Sequence, residues 1–568
     1  MKKILNKILI VSGLCAAASC SFFDVEPQVI CSDTFYKTEA EVKYGLAGVY
    51  GVMNNEEFYG SDYSLACSNI DDLSYFNRPV STNYLQWHSY GPGEGVVYDV
   101  WTEIYQGIRN ANDFLLAVSQ TDFDKDGALR AEARFLRAYY HFILAQAWGD
   151  VPLRDNPIKT PDDVMCAATP QLDVLKWCVS EMEACLPSIG NNVSDTPSRV
   201  TKNTVFGILA RVNLFMAGQS VKTTDAEKLA CWTAARDYAD SVIVSGDHKL
   251  NPDYSQVFKN MISDKYDTEY HESMWEVEFY GDRSNADNWS NGRIGDILGL
   301  QSGNSTSSNY GDFTCNYAHA QYNGSLKLWN LYWQTDRTDA ENQLSTVTDK
   351  RQDWNMPPYN YKGSSDAPYG QTTGTARVGI DKTPYKYNKV TTTTDPVTAR
   401  AIRNCGKFRR EVELEGQKTA KLLYTTVNYP ILRYSDVLLM YAEASNEVSG
   451  PTDKAYDCVK QVRDRAGVAT RDAAEYDKDG FRELVRNERG RELCFESLRK
   501  YDLIRWGIFV QEMHGYKDQT ADEEWSKETS LSAIAATIGT NVMQKHIVLP
   551  VPSIELGVNK LLVQNPLW

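Results

Sequence analysis

Residues 434–444 read Tyr-Ser-Asp-Val-Leu-Leu-Met-Tyr-Ala-Glu-Ala. Within and just beyond this stretch, Leu438, Ala442 and Ser445 recur at the spacing of one helical face. A second helical pattern follows, and Gly467 is placed to end it. The stretch therefore predicts two consecutive helices joined by a short turn.

The same spacing of apolar residues recurs in the first half of the chain. One stripe consists of Trp101, Ile104, Tyr105, Ile108 and Ala111, and another consists of Phe135, Ala138, Tyr139 and Phe142. Each predicted helix is followed by a short turn and a further helix, as in tetratricopeptide-like scaffolds, although the strict repeat consensus is absent. The sequence thus predicts a mainly α fold of tetratricopeptide-like helix pairs, an α-α superhelix, over 38–245 and 435–510.

Residues 250–430 differ in composition from both helical regions. Gly, Ser, Thr, Asn and Pro are dense there, and aromatic residues are interspersed among them. Such a composition is typical of turns and loops. We therefore expect one domain, residues 20–568, whose helical parts flank a large loop-rich insertion. The stretch 54–97 has a similar polar and aromatic character and is expected to be a loop as well.

The N-terminus has the features of an export signal. Three lysines within the first seven residues precede an apolar stretch, Ile8–Ala18, which is too short to span a bilayer. Small residues then precede Cys20, an arrangement that resembles a bacterial lipobox except that Ala17 stands where leucine is usual. We predict that residues 1–19 are a lipoprotein signal peptide and that Cys20 is acylated. The alternative is an ordinary cleavable signal followed by a cysteine that carries no lipid.

Four segments of the chain resemble the SusD/RagB family of outer-membrane lipoproteins. They are Trp101–Asn112, Ala131–Pro152, Tyr434–Gly467 and Asn487–Gly507, and they occur in the family's order. The resemblance implies tetratricopeptide-like helix pairs that form a convex support for a loop-rich, glycan-facing part. It implies capture of oligosaccharide or polysaccharide at the cell surface, with lipid holding the protein on the outer membrane. It also implies a partner, a SusC-like TonB-dependent transporter, over whose mouth the protein sits as a lid.

Composition excludes several classes of protein. The 568 residues carry a net charge of −16, which disfavours bulk nucleic-acid binding because a duplex repels an acidic surface. Only the N-terminal signal holds a sustained apolar run, so a protein with several membrane spans is excluded. The twelve cysteines show no metal-ligand spacing. We therefore predict no cofactor and no metal ion, and we expect most cysteines to be buried and free.

Aromatic residues in polar surroundings are the candidate glycan contacts. A sugar presents an apolar C–H face that packs on an aromatic ring, and hydroxyls that planar polar groups bind. The predicted glycan-binding residues are, in a loop at 69–90, Trp87, Asp72 and Tyr75 and, in the insertion, Trp289 and Tyr310. Trp87 is the first choice, because family members commonly place a ligand-stacking aromatic in this region. The alternative is a tryptophan that fills the core.

The acidic residues form no convincing catalytic pair. Glu488, Glu492 and Glu496 lie along one helical face, but arginines are interleaved with them, so we interpret the pattern as internal ion pairs. Residues 122–127 match the first half of a calcium loop, yet its last ligand position is Ala133, so we interpret them as an acidic helix start. We predict that the protein is not an enzyme. The alternatives are an exported scaffold, a peptide- or glycopeptide-binding member of the same family and, less favoured, an exported glycoside hydrolase.

One segment reverses the acidic character of the chain. Residues 377–410 hold nine Lys or Arg residues and two acids. Three interpretations stay open for this segment: it faces an anionic glycan, it faces the transporter, or it is a solvated surface.

Overall fold

The structure, a computed structural model, describes residues 35–80, 84–279, 292–300, 318–332, 349–357, 359–361, 382–384, 402–410, 424–522 and 525–568. The helices are α1 Glu39–Tyr50, α2 Gly95–Val118, α3 Ala128–Trp148, α4 Gln171–Cys185, α5 Lys202–Met216, α6 Asp225–Ser245, α7 Tyr254–Ile262, α8 Ile294–Ile297, α9 Leu326–Tyr332, α10 Lys350–Asn355, α11 Tyr434–Ser449, α12 Asp453–Ala466, α13 Lys478–Leu493, α14 Arg499–Arg505, α15 Phe509–His514, α16 Asp518–Ala521, α17 Thr529–Asn541 and α18 Ser553–Val558. The strands are β1 Ser74–Phe76, β2 Ser273–Val277, β3 Tyr322–Gly324, β4 Tyr359–Tyr361, β5 Lys382–Pro384 and β6 Tyr429–Arg433. Short 3₁₀ or π turns lie at Gly51–Asn54, Glu56–Gly60, Asp62–Cys67, Pro161–Val164, Ala473–Glu475, Gly515–Lys517, Trp525–Lys527 and Gln544–Ile547.

The helices of the first half of the chain pack on one another in chain order, and a helix of the second half then packs against them. α2 packs against α1 and α3, α3 against α4, and α5 against α4 and α6. The stretch quoted first forms most of α11, which packs against both α6 and α12. The two predicted helical regions therefore meet along α11 and share one core. Among the described residues, none of the helices has the length and apolar character that a bilayer crossing requires.

Helix α11 is buried on every side. All of its residues from Tyr434 to Asn446 are shielded from solvent, so the predicted apolar stripe is inside and so is the opposite face. Two of these residues, Asp436 and Glu443, are acidic. Each has an arginine partner, because Arg489 lies 2.7 Å from Asp436 and Arg505 donates to Glu443 at 2.7 Å. Arg211 of α5 also lies 2.6 Å from Asp436. Burial of the polar face is thus possible because α5, α13 and α14 supply guanidinium groups.

The described strands of the insertion form three short antiparallel sheets, one of which pairs the insertion with a strand outside it. β1 pairs with β3, with Tyr75 opposite Asn323. β2 pairs with β6, and β4 pairs with β5. Backbone hydrogen bonds therefore hold the two ends of the insertion together through β2 and β6 and join the insertion to β1 through β3.

The glutamates predicted to form internal ion pairs do form them. The pairs include Arg351–Glu488 at 2.7 Å, Arg433–Glu492 at 3.0 Å, Lys407–Glu496 at 2.6 Å, Arg463–Glu488 and Arg491–Glu488 at 3.0 Å, Arg465–Glu492 at 2.6 Å and Arg433–Glu272 at 3.0 Å. We call this set the buried charge network. It joins α10, β6, α12, α13 and the segment 402–410 through side chains that are nearly all removed from solvent.

The basic segment 377–410 corrects an expectation. Its described side chains, Arg403, Lys407, Arg409 and Arg410, are each at most 3% exposed. Lys407 belongs to the buried charge network, and Arg403 donates to the carbonyl oxygen of Met356 at 3.0 Å. For these four residues, all three open interpretations were wrong, because the side chains are part of the interior. The other basic side chains of the segment lie outside those that the structure describes.

The stretch 54–97 is not the exposed loop that its composition indicated. It forms short helical turns and strand β1 before α2 begins. Phe58 packs 6.0 Å from the ring of Tyr140, and the hydroxyls of Tyr59 and Tyr139 are hydrogen-bonded. Tyr59 thus packs against α3, and its hydroxyl group is paired inside the protein.

The interpretation of residues 122–127 and the expectation for the cysteines are confirmed for the described residues. Residues 122–127 form a helix start, because the carboxylate of Asp124 accepts hydrogen bonds from the backbone of Leu129 and Arg130 at 2.9 Å. The eight cysteines within the described residues are all free, and six of them are buried.

Replacing Arg433 with methionine tests the buried charge network. Arg433 lies 3.0 Å from both Glu272 and Glu492 and 2.8 Å from Glu496. Methionine fills much of the volume but leaves three buried carboxylates short of a counterion. We therefore expect the free energy of unfolding to fall by about 3–5 kcal/mol in a denaturant titration. Lys43→Met removes an exposed ion pair and is expected to leave stability unchanged; equal effects of the two variants would contradict the role of the network.

Acid is expected to lower the stability of the fold by protonating buried carboxylates that are paired with arginines. Burial alone raises the pKa of Glu488, but three neighbouring arginines outweigh burial and hold the pKa at about 2. Arginines likewise hold Asp436 and Glu443 at a pKa of about 2 against the effect of burial. Carboxyl groups in the unfolded chain have a pKa near about 4, so below about pH 5 the unfolded chain binds more protons than the native one.

The stability that these carboxylates contribute is complete above about pH 5 and is lost as the pH falls towards 2. Asp71 acts in the opposite direction, because burial raises its pKa to about 8. It keeps its proton in the native protein, whereas the unfolded chain loses that proton above about pH 4, so this one group lowers stability as the pH rises. Urea titrations at several pH values between 6 and 2.5 measure the slope. A free energy of unfolding that does not fall towards pH 2.5 would contradict a net stabilising contribution from these ion-paired carboxylates.

Candidate functional site

A cavity of about 590 Å³ opens between three parts of the fold. The first is α9, the second is α13 with the connection that leads into it from α12, and the third is the segment 512–519. Leu326, Leu331 and Leu484 line part of it, and charged or amide side chains line much of the rest. Its volume lies within the range of ligand-binding cavities, about 300–1,000 Å³. We call it the α9–α13 cavity.

Asp72 lies in the wall of this cavity and is firmly held. Arg499 donates to its two carboxylate oxygens at 2.8 and 2.9 Å, and the Lys327 Nζ lies 2.8 Å from one of them. Burial alone raises the pKa of Asp72, but these two cations outweigh it and lower the pKa to about 2. Lys327 also pairs with Glu512. The wall at this point is therefore a fixed ion-pair cluster.

Tyr476 supplies an aromatic surface at the cavity. Its ring is half-buried, the guanidinium carbon of Arg471 lies 5.1 Å from the ring centroid, and Phe481 packs edge-on at 6.0 Å. Asp477 caps α13 directly after it by accepting a hydrogen bond from Gly480. The capped helix start thus fixes the position of the ring.

Planar amide groups complete the wall. Asn330 is exposed, and Asn487 is half-buried and donates to Glu483 at 2.9 Å. Gln519 is only 2% exposed, and its Oε1 accepts a hydrogen bond from the backbone of Leu326 at 2.7 Å. Its Nε2 has no hydrogen-bond partner among the described residues. The cavity therefore combines an aromatic ring with several groups that bind hydroxyls.

A second groove of about 380 Å³ lies between α2 and α18. It is lined by Trp101 and Tyr105 and by the exposed aliphatic residues Ile158 and Val558. Asn112, its buried amide, already donates to two backbone carbonyl oxygens. This groove thus offers fewer available planar donors than the α9–α13 cavity. Among the described residues, no group of three or more His, Cys, Asp or Glu side chains is placed to hold a metal ion.

Comparison with known proteins decides the family. Residues 271–568 match the profile of the SusD family, and residues 21–214 match a profile described as starch-binding and associating with the outer membrane. The chain belongs to the SusD family. The resemblance stated from the four sequence segments is thereby confirmed.

Individual relatives agree with this assignment. The SusD-like protein P25 of Formosa agariphila is 25% identical over 583 residues, covering 99% of this chain and 98% of the relative. The crystal structure of a SusD homolog from Bacteroides thetaiotaomicron has a TM-score of 0.76 at 23% identity, covering 94% of this chain and 98% of the other. The surface glycan-binding protein A from Bacteroides uniformis has a TM-score of 0.63 at 18% identity, with coverages of 94% and 100%. The mainly α fold predicted for this SusD-family chain is confirmed.

Trp87 of this SusD-family chain lies in the core. Its side chain is 8% exposed, and its Nε1 donates to the carbonyl oxygen of Arg78 at 3.1 Å. Asn541, the last residue of α17, donates to the Trp87 carbonyl oxygen at 2.8 Å, and Phe509 of α15 packs beside His88. The alternative of a tryptophan that fills the core therefore describes its burial, because α15 and α17, two helices that were not predicted, cover this part of the loop. The glycan contact assigned to Trp87 stays a prediction.

The other predicted site residues fall into three groups. Asp72 lines the α9–α13 cavity, although as a buried ion-pair partner. Tyr75 is fully buried behind that wall, with its ring 6.0 Å from that of Tyr516. Trp289, Tyr310 and Cys20 lie outside the described residues. The structure thus brings Asp72 and Tyr75 near one cavity and leaves Trp87 apart from its lining.

Four residues that line the α9–α13 cavity were not predicted as ligand contacts: Tyr476, Arg471, Asn330 and Gln519. The first two lie in the short connection between two helices that were predicted. The sequence feature that could have indicated this site is Tyr476, an aromatic residue between Gly467, which ends α12, and Asp477, which caps α13.

Trp87→Ala separates packing from ligand contact. Because the indole is buried and hydrogen-bonded, we expect the free energy of unfolding to fall by about 3–5 kcal/mol in a denaturant titration. Tyr84→Ala is the control, since Tyr84 is the 47% exposed aromatic of the same loop and its removal is expected to change stability little. Parental stability combined with weakened glycan binding would instead establish Trp87 as a ligand contact.

Proposed function

We propose that this SusD-family protein captures oligosaccharide or polysaccharide at the cell surface and delivers it to a SusC-like TonB-dependent transporter of the outer membrane. The observation that carries the proposal is the α9–α13 cavity, in which Tyr476 lies beside amide groups that bind hydroxyls. An aromatic ring packs on the C–H face of a pyranose, and planar amides form paired hydrogen bonds with vicinal hydroxyls.

The relatives support a glycan as the ligand. One structural neighbour is named a surface glycan-binding protein, and the profile that matches residues 21–214 is described as starch-binding. That same description, association with the outer membrane, supports the location. Acylation of Cys20 would hold the protein there, and the transporter partner comes from membership of the family.

The charges around the cavity support binding without catalysis. A glycosidase needs a carboxylic acid whose pKa is raised, so that it can protonate the leaving oxygen. At this cavity, the pKa of Asp72 is lowered to about 2, and so is that of Glu488 behind the wall. Both carboxylates are held by arginines and are committed to ion pairs.

Tyr476→Ala tests the cavity as the glycan site. Loss of a stacking ring is expected to weaken binding about tenfold, by analogy with aromatic pairs worth about 1 kcal/mol or more. Because the ring is half-exposed, the melting temperature is expected to change little. Isothermal titration of the mature chain with a glycan found on a polysaccharide array gives the affinity, and calorimetry gives the melting temperature.

Tyr84→Ala serves as the matched control, because Tyr84 is an exposed tyrosine that does not line the cavity. Unchanged affinity of the Tyr476 variant would exclude this cavity as the site. Slow conversion of the glycan during titration would favour the glycoside hydrolase alternative.

A further inference from the structure

The charges that line the α9–α13 cavity are balanced in number. Four cations and four carboxylates contribute to the lining: Lys327, Arg463, Arg471 and Arg491, and Asp72, Glu483, Glu512 and Asp518. The two signs differ in their contacts, however, because every cation already contacts a protein group, whereas two of the carboxylates have no counterion.

Each cation of the wall already has a strong contact. The Lys327 Nζ lies 2.8 Å from Asp72, and both Arg463 and Arg491 lie 3.0 Å from Glu488 behind the wall. Arg471 lies over the ring of Tyr476. An anionic ligand could therefore recruit Lys327, Arg463 or Arg491 only by drawing it away from Asp72 or Glu488, and Arg471 only by displacing it from the ring of Tyr476. Both of those carboxylates are at most 2% exposed, and an unpaired buried charge is strongly destabilising.

The two remaining carboxylates face the ligand space without a counterion. Glu483 and Asp518 are exposed on opposite walls, and neither has a cation within 4.0 Å among the described residues. An incoming carboxylate or sulfate meets like charge there. The whole chain adds to this repulsion with its net charge of −16.

A neutral hydroxyl-rich ligand meets no such penalty. Gln519 offers a buried Nε2 that has no partner among the described residues, and a hydroxyl oxygen can accept from it. Glu483, Asn487 and Asn330 offer further acceptors and donors that hydroxyl groups can use. Satisfying the amide of Gln519 requires no cation.

We propose that the α9–α13 cavity selects neutral glycans and discriminates against glycans that carry uronic acid or sulfate groups. This inference rests on the proposed function and specifies the class of glycan. It also removes the anionic-glycan interpretation that the basic segment 377–410 suggested, as far as its four described side chains are concerned, because they are buried.

The test compares glycans that differ only in charge. Amylose, galactan, mannan and laminarin are each titrated into the mature chain beside a derivative whose C6 hydroxyls have been oxidised to carboxylates. We expect a neutral member to bind at least about tenfold more tightly than its carboxylated form at about 0.15 M salt. We also expect the affinity for the neutral member to change less than about twofold between 0.05 and 0.5 M NaCl, since no ion pair forms.

A double variant, Glu483→Gln with Asp518→Asn, tests the origin of the discrimination. Glutamine keeps the oxygen that accepts from Asn487. The ratio between the neutral and carboxylated affinities is expected to narrow at least about threefold. Glu39→Gln with Asp225→Asn changes the net charge equally at two exposed positions outside the cavity, and it is expected to leave the ratio unchanged.

The outcomes separate this inference from the proposed function. Equal or tighter binding of a carboxylated member overturns the inference and leaves glycan capture standing. An unchanged ratio in the cavity variant also overturns it, because the named carboxylates then do not discriminate. Failure of every neutral and carboxylated glycan to bind overturns the proposed function and this inference with it.

Discussion

The fold depends on a set of buried carboxylates, each of which has a guanidinium or ammonium partner. Glu488 and Glu492 project from successive turns of α13, and Glu496 follows shortly after that helix ends. The three carboxylates meet cations from α10, β6, α12 and the segment 402–410. Taking a charge out of water costs several kcal/mol, and only close pairing with additional hydrogen bonds offsets that cost. The segments that supply these partners are far apart in the chain, so each pair forms only when the tertiary structure is complete.

A second cluster extends this arrangement to the central helix. Arg489 of α13 contacts both Asp436 of α11 and Asp502 of α14, and Arg505 donates to Glu443. α13 therefore carries carboxylates that face the insertion and an arginine that faces α11. One helix thus fixes the position of the insertion relative to the tetratricopeptide-like body, by directional contacts where an apolar interface would allow sliding.

Local patterns predicted what local forces determine. Helical periodicity predicted α2, α3, α11 and α12, because the apolar residues on the buried face of a helix recur every three or four positions in the sequence. The arginines interleaved with Glu488 and Glu492 indicated ion pairs, but their actual partners, such as Arg351 and Arg433, are remote in sequence. No short-range signal identifies such partners.

The predicted site failed for a related reason. Polar and aromatic residues near Trp87 are equally compatible with a surface loop and with a hydrogen-bonded core. Their burial is decided by α15 and α17, which lie more than 400 residues later in the chain. Tyr476 was overlooked because one aromatic residue between two helices resembles many that have only a packing role.

The capped connection between α12 and α13 has a consequence for how such proteins diverge. Gly467 ends one helix and Asp477 begins the next, so each helix is terminated by its own residues and not by the connecting chain. The Asp72 cluster and the buried charge network lie outside this connection. A gene duplicate can therefore exchange residues 471–476, and with them one side of the cavity mouth, while it keeps Ala469 and Thr470, which accept hydrogen bonds from Arg463 of the buried charge network. One side of the cavity mouth is thus encoded in a short stretch that contributes none of these ion pairs, which lets natural selection or a protein engineer alter it while the ion pairs are conserved.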